Sequence, residues 1–238
     1  MIFDIVIPSF KRKEKLIRCL NSIFKAKKNL KKDQIQIYIY FDNNDKITYN
    51  YFTNKYNNIK CNLMNKQYRA FGIWNKHLQI LDSCGMVYLC DDTQLYPETL
   101  YILFELFNQI YKNTDGILTF NQYNLESASK YAMGLIGKKF INRFPNNQCF
   151  CPDYVSFYAD AELGRFAESL NKFYFGNGIK IHHFHPAFYP NEKDSTHLLV
   201  RDEQQKIDKE VNKKRRERGL LWGKDFKLIR PTIEGNIK

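Results

Sequence analysis

Paired cysteines, a leader signal, membrane-length apolar runs and internal repeats are all missing from this sequence. None of the six cysteines stands in a Cys-x-x-Cys pair, and Cys149 and Cys151 are too close along the chain for an easy local bridge. The thiols therefore point to a reducing compartment, and Cys90, inside an apolar run, reads as a buried thiol. The opening MIFDIVIPSF has no basic leader and carries Asp4 within its apolar run, so it does not read as a signal peptide. No apolar run approaches the length of a bilayer span. A soluble, cytoplasmic protein is expected, attached to a membrane surface at most. With no repeat and no low-complexity linker, the 238 residues read as one domain, 1–190, carrying a basic helical appendage, 191–238, packed on it.

Acidic residues are also scarce. The 25 Asp and Glu face 37 Lys and Arg, a net charge of +12, and the excess is local. Between Lys11 and Lys32 the one acid is Glu14, and a second basic run, Lys213-Lys214-Arg215-Arg216-Glu217-Arg218, lies near the C-terminus. Such patches attract phosphate in nucleotides, nucleic acid or anionic lipid, or else are solvated faces. Aromatics make up 16% of the chain, enough for base or sugar stacking, although core filling is their commoner use.

The pattern that is present alternates short apolar runs with helical spacings. Residues 2–8, 35–41, 61–64, 86–90 and 116–120 read as strands. Leu16, Ile17, Leu20, Ile23 and Phe24 share one helical face, as do Ile73, Trp74, His77, Leu78 and Leu81. A helix is expected over 100–110, with Pro97 and Glu98 near its start, and further helices over 160–170 and 198–221; residues 180–183 read as a strand. Strands alternating with helices predict an α/β fold with a mostly parallel sheet flanked by helices. Ligands of such sheets bind beyond the carboxyl ends of the strands. The polar residues found there are Ser9, Asp42 and the pair Asp91-Asp92. Each alone would serve as a turn or helix cap, but three strand ends converging on one crevice form a joint pattern.

In order along the chain stand Ile5-Val6-Ile7-Pro8-Ser9-Phe10-Lys11-Arg12, Phe41-Asp42-Asn43-Asn44, Arg69, Tyr88-Leu89-Cys90-Asp91-Asp92 with Pro97, Ala159-Asp160-Ala161-Glu162-Leu163, and His183-Phe184-His185-Pro186. This ordered set resembles the GT-A fold (Rossmann-like) glycosyltransferases of family 2, the inverting nucleotide-sugar transferases. The resemblance runs from residue 1 to about residue 186, and the tail has no part in it.

The resemblance implies a role for each motif. Asp92 would ligate a hard divalent ion, Mn2+ or Mg2+, and Asp91 would contact the ribose or support the metal site. Thr93 replaces a third acid often found there. Pro8, Ser9 and Phe10 would cradle the nucleotide, with Phe10 stacking on the base and Arg12 reaching a phosphate or the base edge. Asp42 would accept the imide N–H of uracil or thymine, although Asp42-Asn43-Asn44-Asp45 is also a good turn. Arg69 would contact the base or the metal-site acid, or be a surface charge. Asp160 would be the general base, with an N-cap as its other reading and Glu162 as the fallback. His183, or failing it His185, would complete the metal shell and tilt the choice toward manganese; strand alternation would put these two on one face and His182 on the other.

The partners so implied are a nucleotide-sugar donor, probed first as a uridine or thymidine diphosphate sugar, and a glycan, lipid-linked or protein acceptor. Weak contact with an anionic membrane is expected. A nucleotidyltransferase would show a glycine-rich loop where Pro8-Ser9-Phe10 stands. Nucleic acid is not an expected partner, because acids end the strands at the crevice and repel a phosphate backbone unless metal fills it. A relative that binds nucleotide without turnover is the remaining alternative.

Overall fold

The computed structural model describes residues 1–31, 33–122 and 130–229, and the side chains of 195–203 are left out of the description. Most of the polar stretch 121–129, expected to be a loop, and the end of the tail from residue 230 fall outside it.

Eight strands form one sheet: β1 (Phe3–Ser9), β2 (Ile35–Phe41), β3 (Lys60–Leu63), β4 (Gly85–Tyr88), β5 (Thr93–Leu95), β6 (Ile117–Gln122), β7 (Gly134–Gly137) and β8 (Phe173–His183), in the order β3-β2-β1-β4-β7-β6-β8-β5. The first four are parallel to one another, with β1 central between β2 and β4. β7 runs antiparallel to β4 and β6, and β5 antiparallel to β8, so the far half of the sheet is mixed. The helices are α1 (Lys13–Lys27), α2 (Lys46–Lys55), α3 (Ala70–Gln79), α4 (Thr99–Ile110), the single turn α5 (Lys138–Ile141), α6 (Ala159–Ser169) and α7 (Ser195–Glu217).

Alternation along β1 divides the core in two. Phe3, Ile5 and Ile7 pack with Leu16, Leu20 and Ile23 of α1 and with Leu103, Phe104 and Phe107 of α4. Phe3 stacks on Phe104 with ring centroids 4.7 Å apart. Val6 faces the other layer, with Trp74 of α3, Phe150, and Leu163 and Phe166 of α6. Asp4 shares the Val6 face, where hydrogen bonds engage it. Its Oδ2 lies 2.8 Å from His77 Nε2, and His77 Nδ1 lies 2.8 Å from the Tyr40 hydroxyl. A carboxylate in the middle of a buried strand is thus held in a chain of hydrogen bonds.

α7 is fastened to the domain by charged residues rather than an apolar stripe. Arg215, fully buried, gives Nη1 to Asp153 Oδ2 at 2.7 Å and Nη2 to Glu162 Oε1 at 2.8 Å. Glu162 also accepts from the Tyr154 hydroxyl at 2.7 Å and the Trp222 amide at 2.6 Å. Two expectations change here. Glu162 is a structural anchor in full ion pairing, not a reserve base. Arg215 is no part of a surface patch; Lys213, Lys214, Arg216 and Arg218 form the exposed remainder of that run. The N-terminal basic stretch is likewise partly spent inside the molecule. Lys15 Nζ pairs with Asp194 at 2.8 Å and Arg18 Nη1 with Glu192 at 2.8 Å, tying the segment after β8 to α1. Among the described residues no helix is long and apolar enough to cross a membrane.

Candidate active site

The strand order reverses between β1 and β4, and the chain there turns outward on both sides. That gap holds the residues picked from strand ends. Ser9 closes β1, and its Oγ donates to Asp91 Oδ2 at 2.8 Å. Arg12 Nη1 donates to Asp91 Oδ1 at 3.0 Å and lies 3.6 Å from Asp92 Oδ2. Arg12 Nε is in turn 3.0 Å from Asp194. Both oxygens of Asp91 are therefore engaged by its own chain. Burial pushes the Asp91 carboxyl up, against the pull of Arg12.

Asp92 turns its other oxygen to β8. His183 Nε2 lies 3.2 Å from Asp92 Oδ1, and His183 Nδ1 is 2.6 Å from Gln122 Oε1. An amide oxygen only accepts, so Nδ1 carries the proton and Nε2 is left facing the carboxylate. Burial opposes the charge on Asp92, but His183, then Arg12 and His185, outweigh it and hold the carboxyl well below the usual carboxylate range. The His183 and His185 rings stand 5.3 Å apart, whereas His182 Nε2 points away to the Tyr96 hydroxyl at 2.7 Å. His183 closes β8 and His185 lies just past it; the two line the cavity together while His182 does not, as strand alternation predicts. Thr93, in place of an acid, is fully buried and gives its hydroxyl to the Cys90 carbonyl at 2.8 Å, away from the site.

Among the described residues one group of His, Cys, Asp or Glu lies close enough to hold a metal: Cys90, Asp92 and His183, whose donor atoms are all within 4.8 Å of one another. Carboxylate and imidazole suit a borderline ion such as manganese. Burial keeps the Cys90 thiol well above its ordinary pKa, so it is a poor partner for a hard ion. Cys90, expected as a buried thiol, does pack against both layers of the core, and it also borders this site. The signal available was its place beside Asp91-Asp92 at the strand end.

A cavity of about 540 Å³ opens beside these groups. Pro8, Ser9, Phe10, Arg12, Asp42, Arg69, Asp91, Asp92, Asp160, His183 and His185 all line it. Asp42 ends β2 and does two things at once. It borders the cavity, and its Oδ1 accepts the Asn44 amide at 3.3 Å, as a turn residue does. The cap of α2 is Asp45, which takes the Thr48 amide at 3.4 Å. Burial raises the Asp42 carboxyl, with Asn44 and then Arg69 drawing it back, and burial lowers Arg69, the residue that opens α3.

Asp160 is not an N-cap. Tyr158 holds the flanking position of α6, with a left-handed φ of 71°, and Asp160 is the second residue of the helix itself. The turn throws its side chain into the cavity. Burial raises its carboxyl, and the amides of Ala161 and Asp160, with Arg165, recover part of the charge. Aromatic side chains that the motifs did not mark complete the wall: Tyr68, Phe71 and Trp74 of the α3 region, Phe157 before α6, and Phe188 after β8.

The loop leading to Asp160 is clamped from the tail. Asp208 of α7, fully buried, accepts the backbone amides of Val155 at 3.0 Å, Ser156 at 2.8 Å and Phe157 at 2.9 Å. Ser156 Oγ also donates to Gln204 at 3.1 Å. Ser156 and Phe157 line the cavity, so the appendage helps to shape the site.

No family model and no curated protein matches this sequence. Solved structures match its shape. The crystal structure of TarS 1–349 from S. aureus aligns over 74% of this chain and 59% of its own, with a TM-score of 0.56 and 14% identity. Mannosyltransferase PcManGT from Pyrobaculum calidifontis, solved in complex with GDP-Man and Mn2+, aligns over 76% of this chain and 56% of its own, with a TM-score of 0.58 and 9% identity. The chain thus spans less than two thirds of either relative. In both its likeness to these structures and the eight-stranded sheet with its helical flanks, the chain has the GT-A fold.

Proposed function

We propose that this chain is a metal-dependent glycosyltransferase that moves a sugar, with inversion, from a uridine or thymidine diphosphate sugar to an acceptor hydroxyl. The observation that carries this reading is the meeting of Ser9, Asp42, Asp91, Asp92, Asp160 and His183 around one cavity at the switch point of the sheet. A nucleotide diphosphate leaves with several negative charges. Asp92 and His183 would hold the divalent ion, and when bound that ion supplies the positive charge that stabilises the departing diphosphate. Ser9 and Arg12 fix Asp91 so that it stays at the rim of the metal position. Pro8 and Phe10 offer a wall for the base, and Asp42 an acceptor for its imide N–H. Asp160, on the α6 side, takes the proton of the attacking hydroxyl as the new bond forms on the face opposite the diphosphate. The GT-A fold and a neighbour solved with GDP-Man and Mn2+ support the class of reaction. Residues 1–190 are proposed as the catalytic domain and 191–238 as the appendage. We place the protein in the cytoplasm, where Lys213, Lys214, Arg216 and Arg218 offer weak, salt-sensitive attraction to an anionic leaflet.

Donor hydrolysis and transfer should stop in excess chelator. Asp92→Asn should lower the manganese-supported rate roughly a hundredfold, about 3 kcal/mol of leaving-group stabilisation. Full release of nucleoside diphosphate in chelator, measured over a panel of nucleotide sugars, would remove the metal from the proposal.

Asp42 sets the expected base preference. Calorimetric titration with manganese present should show uridine or thymidine diphosphate binding more tightly than adenosine or guanosine diphosphate. Asp42→Ala should narrow that difference. Tighter guanosine diphosphate binding, the class of nucleotide held by the mannosyltransferase neighbour, overturns the pyrimidine assignment.

A further inference from the structure

The donor set beside Asp92 is softer than sugar transfer asks for. Manganese and magnesium prefer several oxygen ligands, whereas a thiol, an imidazole and a carboxylate are the mixture that zinc takes in tetrahedral sites with three protein ligands and one open position. Three features of the structure assemble that mixture. Leu89 and Cys90 follow β4 as the chain leaves the sheet, and Cys90 is fixed there by its own backbone, its amide lying 3.4 Å from Met133 Sδ and its carbonyl accepting from Thr93 at 2.8 Å. Its side chain packs against both layers of the core and also borders the cavity. His183 is already oriented by Gln122, with Nε2 turned to the site.

We infer that Cys90, Asp92 and His183 form a three-ligand site for a thiophilic dication, zinc in particular, which competes with manganese for Asp92 and His183. In a tetrahedral site, zinc–sulfur and zinc–nitrogen bonds of about 2.3 and 2.0 Å put two donors about 3.5 Å apart. Donors within 4.8 Å of one another close on an ion by side-chain rotation, an approach of about 1.3 Å at most. On binding, the Cys90 S–H bond breaks, the sulfur–metal bond forms and the proton leaves to solvent; no oxidant or reductant is involved. Asp92 and His183 serve both ions, and Cys90 serves only the thiophilic one. The order of divalent affinities favours zinc over manganese at any shared set of donors, and the thiolate widens that difference.

Cobalt is the spectroscopic stand-in for zinc, and the test needs no sugar donor, so it stays readable if the chain transfers no sugar. The purified full-length chain is titrated with Co2+, then with Zn2+, and absorbance is followed. A thiolate-to-cobalt charge-transfer band should grow to one equivalent and be displaced by zinc. Cys90→Ser should abolish it, and Cys61→Ser, at a thiol on β3, should keep it. Loss of a supporting group outside the ligand shell already costs roughly 10–100-fold in metal affinity, so Cys90→Ser should weaken zinc at least tenfold. Manganese affinity, read from the paramagnetic signal of the free ion, should change far less. Circular dichroism of Cys90→Ser checks that the fold is kept, and His183→Ala should weaken both ions. A wild-type protein with no charge-transfer band, a band that survives Cys90→Ser, or equal losses of zinc and manganese affinity would each overturn the inference.

Discussion

Asparagine in place of Asp160 should lower sugar transfer roughly 10²–10⁴-fold while nucleoside diphosphate still binds. Asn keeps the size of Asp and most of its hydrogen bonding but cannot take a proton. The proposed nucleotide wall draws on the ends of β1 and β2 and the turn after β4, so donor affinity should hardly move. Asp160 comes from α6, a separate element that lines the same cavity. Its environment also predicts a pH profile. Burial raises its carboxyl, and a base must be ionised to act, so activity should rise with pH through a value above that of an ordinary aspartate. That acidic limb should vanish from the residual rate of Asp160→Asn. Calorimetry for the donor, and single-turnover transfer across pH, separate the two effects. A variant with near wild-type turnover shows that Asp160 has another role, and Glu162 cannot then replace it, because Arg215, Tyr154 and Trp222 occupy both its oxygens.

Arg215→Ala should destabilise the fold by about 3–5 kcal/mol, the cost of breaking a buried ion pair from one side. The substitution strands two carboxylates, Asp153 and Glu162, in the interior with no counter-charge. It also frees Asp153 from a knot that includes the Ile229 amide at 2.8 Å. A fall in the denaturant midpoint measures the loss. Arg215→Lys, which keeps the charge but not the fork of donors, should lie between wild type and Ala. If Arg215→Ala and an exposed control, Lys213→Ala, lose the same small amount, the buried pair contributes little to stability.

Much of the site was legible because strand ends carry a local signature. Ser9, Asp42 and Asp91-Asp92 each follow a run of apolar residues, and the parallel order of β1, β2 and β4 then brings them together. α1 was readable from its helical apolar face, and β1 from an apolar run that feeds both layers of the core. α2 was not, because Thr48 and Phe52 are the buried residues of that helix, and its most apolar side chain, Ile47, faces solvent. β5 and β7 are short, and they are defined by pairing with distant strands rather than by a pattern of their own. α7 was legible as a helix but its inner face was not. Asp208, Val211 and Arg215 fall on one side of it, and two of these three are charged, so a search for an apolar stripe passes over them. The same limit applied to Glu162. Its partners lie 53 and 60 residues further along the chain, a separation that no local motif expresses.

The clamp made by Asp208 bears on how the protein is synthesised. The amides it holds stand 51 to 53 residues earlier in the chain. A nascent chain will have released the residues of β1 to β4 well before those of α7 exist. The loop that aims Asp160 receives its last restraints only when residues 204–222 have been released and folded back. Contacts of such separation are also late to form during refolding, since the entropy of closing the loop has to be met first. On the proposed function, the strand-end residues of the cavity are therefore synthesised well before the restraints on the Asp160 loop, and donor binding would precede competence for transfer.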